Sequence, residues 1–200
     1  MKIFRLFTCI LALAFAASGS AQTAKQVLDK TAAIVGRSGG ASAHFSISGG
    51  KVKTTSGTFA IKGKKFYAST PDAKVWFDGK TQWAYMAATD EVNISTPTQA
   101  EQMSMNPYTF LSIYKTGYDM SMQTVSGNYE VHLVAQNQKR TVQELYITIG
   151  KNYQPKILKM RQGKNWTTIT ISNFQAKNQS DAMFRFNGKA YPKAEIIDLR

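Results

Sequence analysis

Hydrophobic positions along the chain switch between two periods. From Val27 to Val35 they recur at helical spacing (Val27, Leu28, Thr31, Ile34, Val35), behind a capping pair at Thr23 and Gln26 and ahead of Gly36. This predicts an amphipathic helix with one face packed on a sheet. Beyond Gly39 and Gly40 the period drops to two: Ala43, Phe45 and Ile47, then Phe59 and Ile61, then Phe66 and Ala68, then Val92 and Ile94. Between them, Val75 to Tyr85 reads as two aromatic strands around Asp78 and Gly79, a pair able to take the positive φ angles of a tight turn. With those two as the loop, Trp76 is expected opposite Thr81, and Trp83 and Tyr85 share its face. The other face carries Ala73, Val75, Phe77 and Ala84, so both sides of this hairpin are apolar and both need a cover.

Helical spacing returns between Pro97 and Lys115. Asn106 is a cap and Pro107 a first helical residue, which predicts a short apolar helix bearing Phe110, Leu111, Ile113 and Tyr114. Alternation then resumes at Tyr118, Met120 and Met122, at Tyr129 to Ala135, and at Leu145 to Ile149. It continues at Ile157 to Met160, Trp166 to Ile171 and Met183 to Phe186. The fold class that follows is mainly β (α+β): a curved antiparallel sheet of about 10–11 strands, an open barrel covered by two or three helices. Helices seated in a concave sheet leave a hydrophobic cavity. Met103, Met105, Met120 and Met122 flank the central helix, and unbranched methionine suits a lining that must accept flexible ligands.

Lys2 and Arg5 precede the apolar run Leu6 to Ala17, and Ser18, Gly19, Ser20 and Ala21 follow it. This predicts a secretory signal peptide over residues 1–21, too short for a comfortable membrane span, and a single soluble domain over 22–200. Cys9, the sole cysteine, falls inside that leader, so the mature chain is expected to have no disulfide, thiolate metal site or cysteine nucleophile. The formal net charge is +13, but no nucleic-acid reading element accompanies it, and an exported chain rarely meets nucleic acid. Anionic headgroups or an acidic partner fit the charge better, beside the plain alternative of a solvated lysine-rich surface. Catalysis has no visible vehicle. His44 and His132 lie on different predicted strands without nearby acidic partners, Asp90 and Glu91 point to opposite sides of a strand, and Asp78 belongs to its turn. No nucleophile elbow, phosphate loop or zinc helix occurs, so neither an enzyme nor a cofactor nor a metal is expected.

The order of these segments resembles a known family. An amino-terminal helix precedes Gly57-Thr58-Phe59-Ala60-Ile61-Lys62. Then come the aromatic strand Lys65-Phe66-Tyr67, the hairpin Asp78-Gly79-Lys80-Thr81 with Trp83 and Tyr85, a Pro-led helix, and Leu145-Tyr146-Ile147-Thr148-Ile149 before a turn at Lys151-Asn152. The chain is similar to the LolA-type periplasmic carriers of outer-membrane lipoproteins. The resemblance implies an unclosed barrel with a helical lid, enclosing the acyl chains of a lipoprotein that crosses the periplasm. Acylated lipoproteins would be the cargo, an inner-membrane ATP-driven (ABC) release complex the donor, and an outer-membrane acceptor or the membrane itself the recipient. Family members often carry Lys-Arg-Pro after the Gly-led strand, with the arginine holding the lid. Here the aligned residues are Lys62, Gly63 and Lys64, which makes Lys64 the expected lid contact. The expected cavity residues are Tyr67, Trp76, Trp83, Tyr85, Phe110 and Leu111, with Met103, Met105 and Met122 as adaptable lining, in a monomer. Two alternatives stay open: a binding module for another envelope lipid or glycolipid, and an exported interaction protein without lipid cargo.

Overall fold

The computed structural model describes residues 22–50, 53–98 and 112–200. Among them is a single α-helix, α1 (Ala24–Val35), and twelve strands in one sheet. The strands are β1 (Ala41–Gly49), β2 (Thr55–Lys62), β3 (Lys65–Ser69), β4 (Ala73–Phe77), β5 (Gln82–Met86), β6 (Glu91–Ser95), β7 (Tyr118–Val125), β8 (Asn128–Ala135), β9 (Glu144–Ile149), β10 (Pro155–Gln162), β11 (Asn165–Gln175) and β12 (Glu195–Asp198). Their spatial order is β12-β6-β5-β4-β3-β2-β1-β11-β10-β9-β8-β7, so β1 joins two antiparallel meanders and the sheet stays unclosed between β12 and β7. Only β12 runs parallel to its neighbour.

The helix forms where the sequence places it. Thr23 Oγ1 accepts the Gln26 N–H (3.2 Å) while Gln26 Oε1 accepts the Thr23 N–H (3.0 Å), a reciprocal cap on two otherwise unpaired donors. Val27, Leu28, Thr31 and Val35 are its buried residues. Val27 and Leu28 enter a core with Val131, Leu133, Leu145 and Ile147, whereas Val35 enters a second with Phe59, Ile61, Phe66 and Phe77. One twelve-residue helix thus spans both meanders.

Three expectations are corrected. The described residues hold one helix rather than two or three: the predicted central helix falls largely outside them, and its end is a single 3-10 turn at Ile113–Lys115. Met183 to Phe186 is no strand, because Ser180 caps a 3-10 turn over Asp181–Phe184, and the last strand lies further on at β12. The β4–β5 hairpin also pairs Trp76 with Trp83, not with Thr81. The Asp78 carboxylate accepts the N–H groups of Lys80 (3.0 Å) and Thr81 (2.8 Å), which makes Asp78 a flanking residue of the turn. Gly79 takes the positive φ (+102°), and the pairing moves along by two residues, so each side chain keeps its predicted face.

Candidate functional site

Strict alternation along paired strands gives the sheet two faces. On the helix side, Ala43, Phe59, Phe66 and Phe77 line up across β1 to β4 through the pairs Ala43–Phe59, Ile61–Phe66 and Phe66–Phe77. Phe45, Val75, Ile171 and Phe174 pack against this core while remaining partly exposed. Met122 and Ile169 do the same at the other core. Gly57 is essential to this surface. A Cβ there would lie 1.9 Å from the Ser69 carbonyl oxygen and 3.1 Å from the Phe45 ring, so only glycine lets the ring settle over its cross-strand partner. Further along, a register shift at the end of β11 places Asn173 at φ +49° and directs Phe174 to the helix side.

The opposite face behaves differently in its two halves. Across β7 to β11 it combines charged groups with rings, Tyr146 stacking on His132 (4.1 Å) and lying 6.0 Å from Trp166. Glu144 there lies 2.9 Å from His132 Nε2 and accepts from Arg161 Nε (3.0 Å) and the Tyr146 hydroxyl (3.1 Å). Its burial favours the neutral acid, but these bonds outweigh that and hold its pKa below the ordinary value. Across β3 to β5 the face is aromatic. Tyr67 lies beside Trp76 (5.7 Å between rings), and Trp76 is covered by the carboxy-terminal segment, residues 176–194, which we term the strap. Phe186 and Tyr191 of the strap meet Trp76 edge-on at 5.4 and 5.8 Å. Tyr191 also lies 4.6 Å from the Tyr85 ring. Phe184, at 0% exposure, belongs to neither helix-side core.

Charges fasten the strap. Asp181 lies 3.1 Å from Lys62 Nζ and 2.9 Å from Lys65 Nζ, and bonds from Lys65 first and Lys62 second lower its pKa. Lys74 donates to the Tyr191 hydroxyl (2.9 Å), which raises the lysine pKa despite its desolvation. Arg185 Nε sits 3.5 Å from Asp78 Oδ2. Burial would raise the Asp78 pKa, but the Thr81 and Lys80 N–H groups and Arg185 together bring it below the ordinary 3.8.

The structure brings four of the residues singled out from sequence onto one face and places a fifth on the other. Tyr67, Trp76, Trp83 and Tyr85 share the strap face, with Trp76 only 7% exposed. Met122 lies on the helix face. Met103, Met105, Phe110 and Leu111 lie outside the described residues, as does the predicted leader 1–21. Lys64 is exposed at the β2–β3 turn, and the lysines on either side of that turn, Lys62 and Lys65, are the ones that bind the strap. Sequence reasoning missed Phe45, Ile47, Ile169 and Ile171 as a candidate ligand surface. Their alternation was visible, but it identified strands without saying which face a cover would leave open.

The sequence profile of the family described as outer membrane lipoprotein carrier protein LolA matches residues 13–164. The chain belongs to this family. No protein of curated function matches it. A conserved uncharacterised protein of Thermus thermophilus superposes with a TM-score of 0.59 at 14% identity, over 88% of this chain and 99% of that one. A LolA-superfamily protein of Nitrosomonas europaea gives 0.43 at 10% identity, over 83% and 99%. Lipoprotein LppX of Mycobacterium tuberculosis gives 0.40 at 14%, over 75% and 91%. The LolA family is one of carrier and binding proteins, and the described residues of this chain form a mainly β, unclosed curved sheet with one helix. The strap lies beyond the matched residues. Among the described residues no helix is long and apolar enough to cross a membrane.

Proposed function

We propose that this LolA-family chain is a periplasmic carrier that shields the acyl chains of lipoproteins against the helix-side face of its sheet. It takes them from an inner-membrane ATP-driven release complex and delivers them to the outer membrane as a soluble monomer. The observation that carries this reading is the row of partly exposed apolar side chains beside the footprint of α1: Phe45, Val75, Ile171 and Phe174 against one core, Ile169 and Met122 against the other. Each acyl methylene moved from water onto such a surface contributes on the order of 0.8 kcal/mol, so partial enclosure of two or three chains keeps a lipoprotein in solution. No covalent step or fuel is needed, since a recipient with higher affinity for the same chains empties the carrier by mass action. Methionine and β-branched residues along the row tolerate chains of different length better than a rigid aromatic slot would.

Trp76 and Tyr85 take a supporting part, because their rings are already met by Phe186 and Tyr191. The test is titration of a fluorescent fatty-acyl probe into the folded protein, with displacement by a triacylated lipoprotein. Phe45→Asp and Ile171→Asp are expected to weaken probe binding at least tenfold while the fold survives. Tyr85→Leu, on the other face, is expected to leave it unchanged. Full binding by the two Asp variants would remove the helix-side face from the site. Loss of binding in Tyr85→Leu at unchanged stability would return the site to the aromatic side.

A further inference from the structure

The two edges of the unclosed sheet are built differently. β12 is four residues long with a carboxylate at each end, Glu195 and Asp198, and a short, charged edge resists an added strand. β7 runs for eight residues without a proline, and all eight keep regular register with β8, so no bulge interrupts it. Asp119 is its only charge. Met120 and Val125 stand out from it at 38% and 43% exposure. Length, composition and register leave β7 without the devices that blunt a sheet edge. Among the described residues no segment bonds to its outer backbone.

Register decides which groups this edge offers. The Gln136 N–H donates to the Gly117 carbonyl (3.1 Å), and the Ala135 N–H donates to the Gln143 carbonyl (2.8 Å) on the β9 side. Bonded and non-bonded pairs alternate along an antiparallel ladder. With Tyr118 opposite Ala135, the odd residues Asp119, Ser121 and Gln123 bond to β8, and the even residues Met120, Met122 and Thr124 turn N–H and C=O away from it. The same even residues stand opposite Leu133, Val131 and Tyr129, which places their side chains on the helix side. Met122 is already one of the row assigned to acyl chains. A strand added to β7 would thus bond to residues that flank that row, and every second one of its own side chains would point to the helix side.

We propose that the β7 edge takes, as an added strand, the extended segment that follows the acylated residue of a lipoprotein. This rests on the acyl reading above and names the part of the cargo, other than its lipid, that the carrier holds. In an acylated polypeptide the chains hang from one residue and the backbone continues from it. With that residue's side chain on the helix side, its acyl chains lie alongside Met120 and Met122, and the residues after it reach the outward N–H and C=O groups of the edge. Pairing through the backbone reads no side chain, so one edge serves cargo of different sequences.

The experiment compares two ligands that share one triacylated cysteine: the cysteine as its simple amide, and the same cysteine followed by a short uncharged peptide. Both displace the fluorescent acyl probe from the folded protein, and the peptide is expected to bind about tenfold tighter than the amide. Hydrogen exchange read by NMR is expected to slow at Met120, Met122 and Thr124 with the peptide but not with the amide. Asp119, Ser121 and Gln123, already bonded to β8, should change little. N-methylation of alternate peptide residues gives two further ligands. The one methylated at residues facing β7 is expected to lose the gain, and the other to keep it. Equal affinity of peptide and amide, no slowing at the three amides, or an equal effect of the two methylation patterns would overturn the proposal while probe binding left the acyl reading standing. Failure of the probe to bind at all would overturn both. Slowing of the same amides without ligand, rising with protein concentration alongside a dimer in sedimentation, would overturn the proposal by assigning the edge to a second copy of this chain.

Discussion

Trp76 and Phe77 are neighbours in sequence and nearly equally buried, at 7% and 1% exposure, yet they belong to cores built in different ways. Phe77 faces the helix side, where its core receives Val35 from an element that precedes β1. Trp76 faces the strap, where Phe186 and Tyr191 arrive from more than a hundred residues away in the chain. Among the described residues, the helix side is covered by a capped, regular element beside which Phe45, Val75, Ile171 and Phe174 stay partly exposed. The strap side is covered by irregular chain that fills ring against ring and is pinned by Asp181, Arg185 and Lys74. A surface with spare apolar area can take a ligand, whereas one already filled by its own chain supplies rigidity.

The sharpest break of this comparison is to empty each cover in turn. Phe184→Ala on the strap is expected to cost about 3–5 kcal/mol, and Leu28→Ala on α1 about 2–5 kcal/mol, in urea unfolding. A Phe184→Ala loss under about 1 kcal/mol would make the strap a surface tether instead of a second core. Next comes the turn that the strap grips. Asp78→Asn keeps an oxygen for the turn but loses the charge facing Arg185, and is expected to cost about 1–2 kcal/mol at neutral pH. Because the folded-state pKa of Asp78 is depressed below 3.8, its charge stabilises the fold above that value. The contribution fades as pH falls through the lower folded value. The stability gap between wild type and Asp78→Asn should therefore be present at pH 7 and narrow below about pH 4; a gap that persists in acid would assign it to turn geometry alone. The smallest effect expected is at the helix cap, where Thr23→Ala should cost about 0.5–2 kcal/mol by freeing the Gln26 N–H. It should also weaken acyl-probe binding less than Phe45→Asp, since it loosens the cover without changing the floor.

Much of this protein was legible along the chain. The capping box of α1, its apolar stripe and the strand alternation all depend on residues close in sequence, so their periods and caps located them. The turn was found but its register was not, because the Asp78 side chain caps two N–H groups and moves the loop centre toward Gly79 and Lys80. Which face carries a ligand was not legible either, for a related reason. Both faces of β4 are apolar, and alternation says that Trp76 and Phe77 oppose one another without saying which of them meets the helix. No local signal in residues 176–194 announced a cover, since the strap's rings gain their partners only on the folded sheet.

The sequence by itself determined the class and many of the elements: the amphipathic amino-terminal helix, many short alternating strands, and an order of segments resembling the LolA family. Tertiary structure alone decided which face was filled and which stayed open. That choice rests on contacts between distant segments, namely Val35 against the core of Phe77 and Tyr191 against Trp76, and side-chain period carries no information about the partner that completes a face.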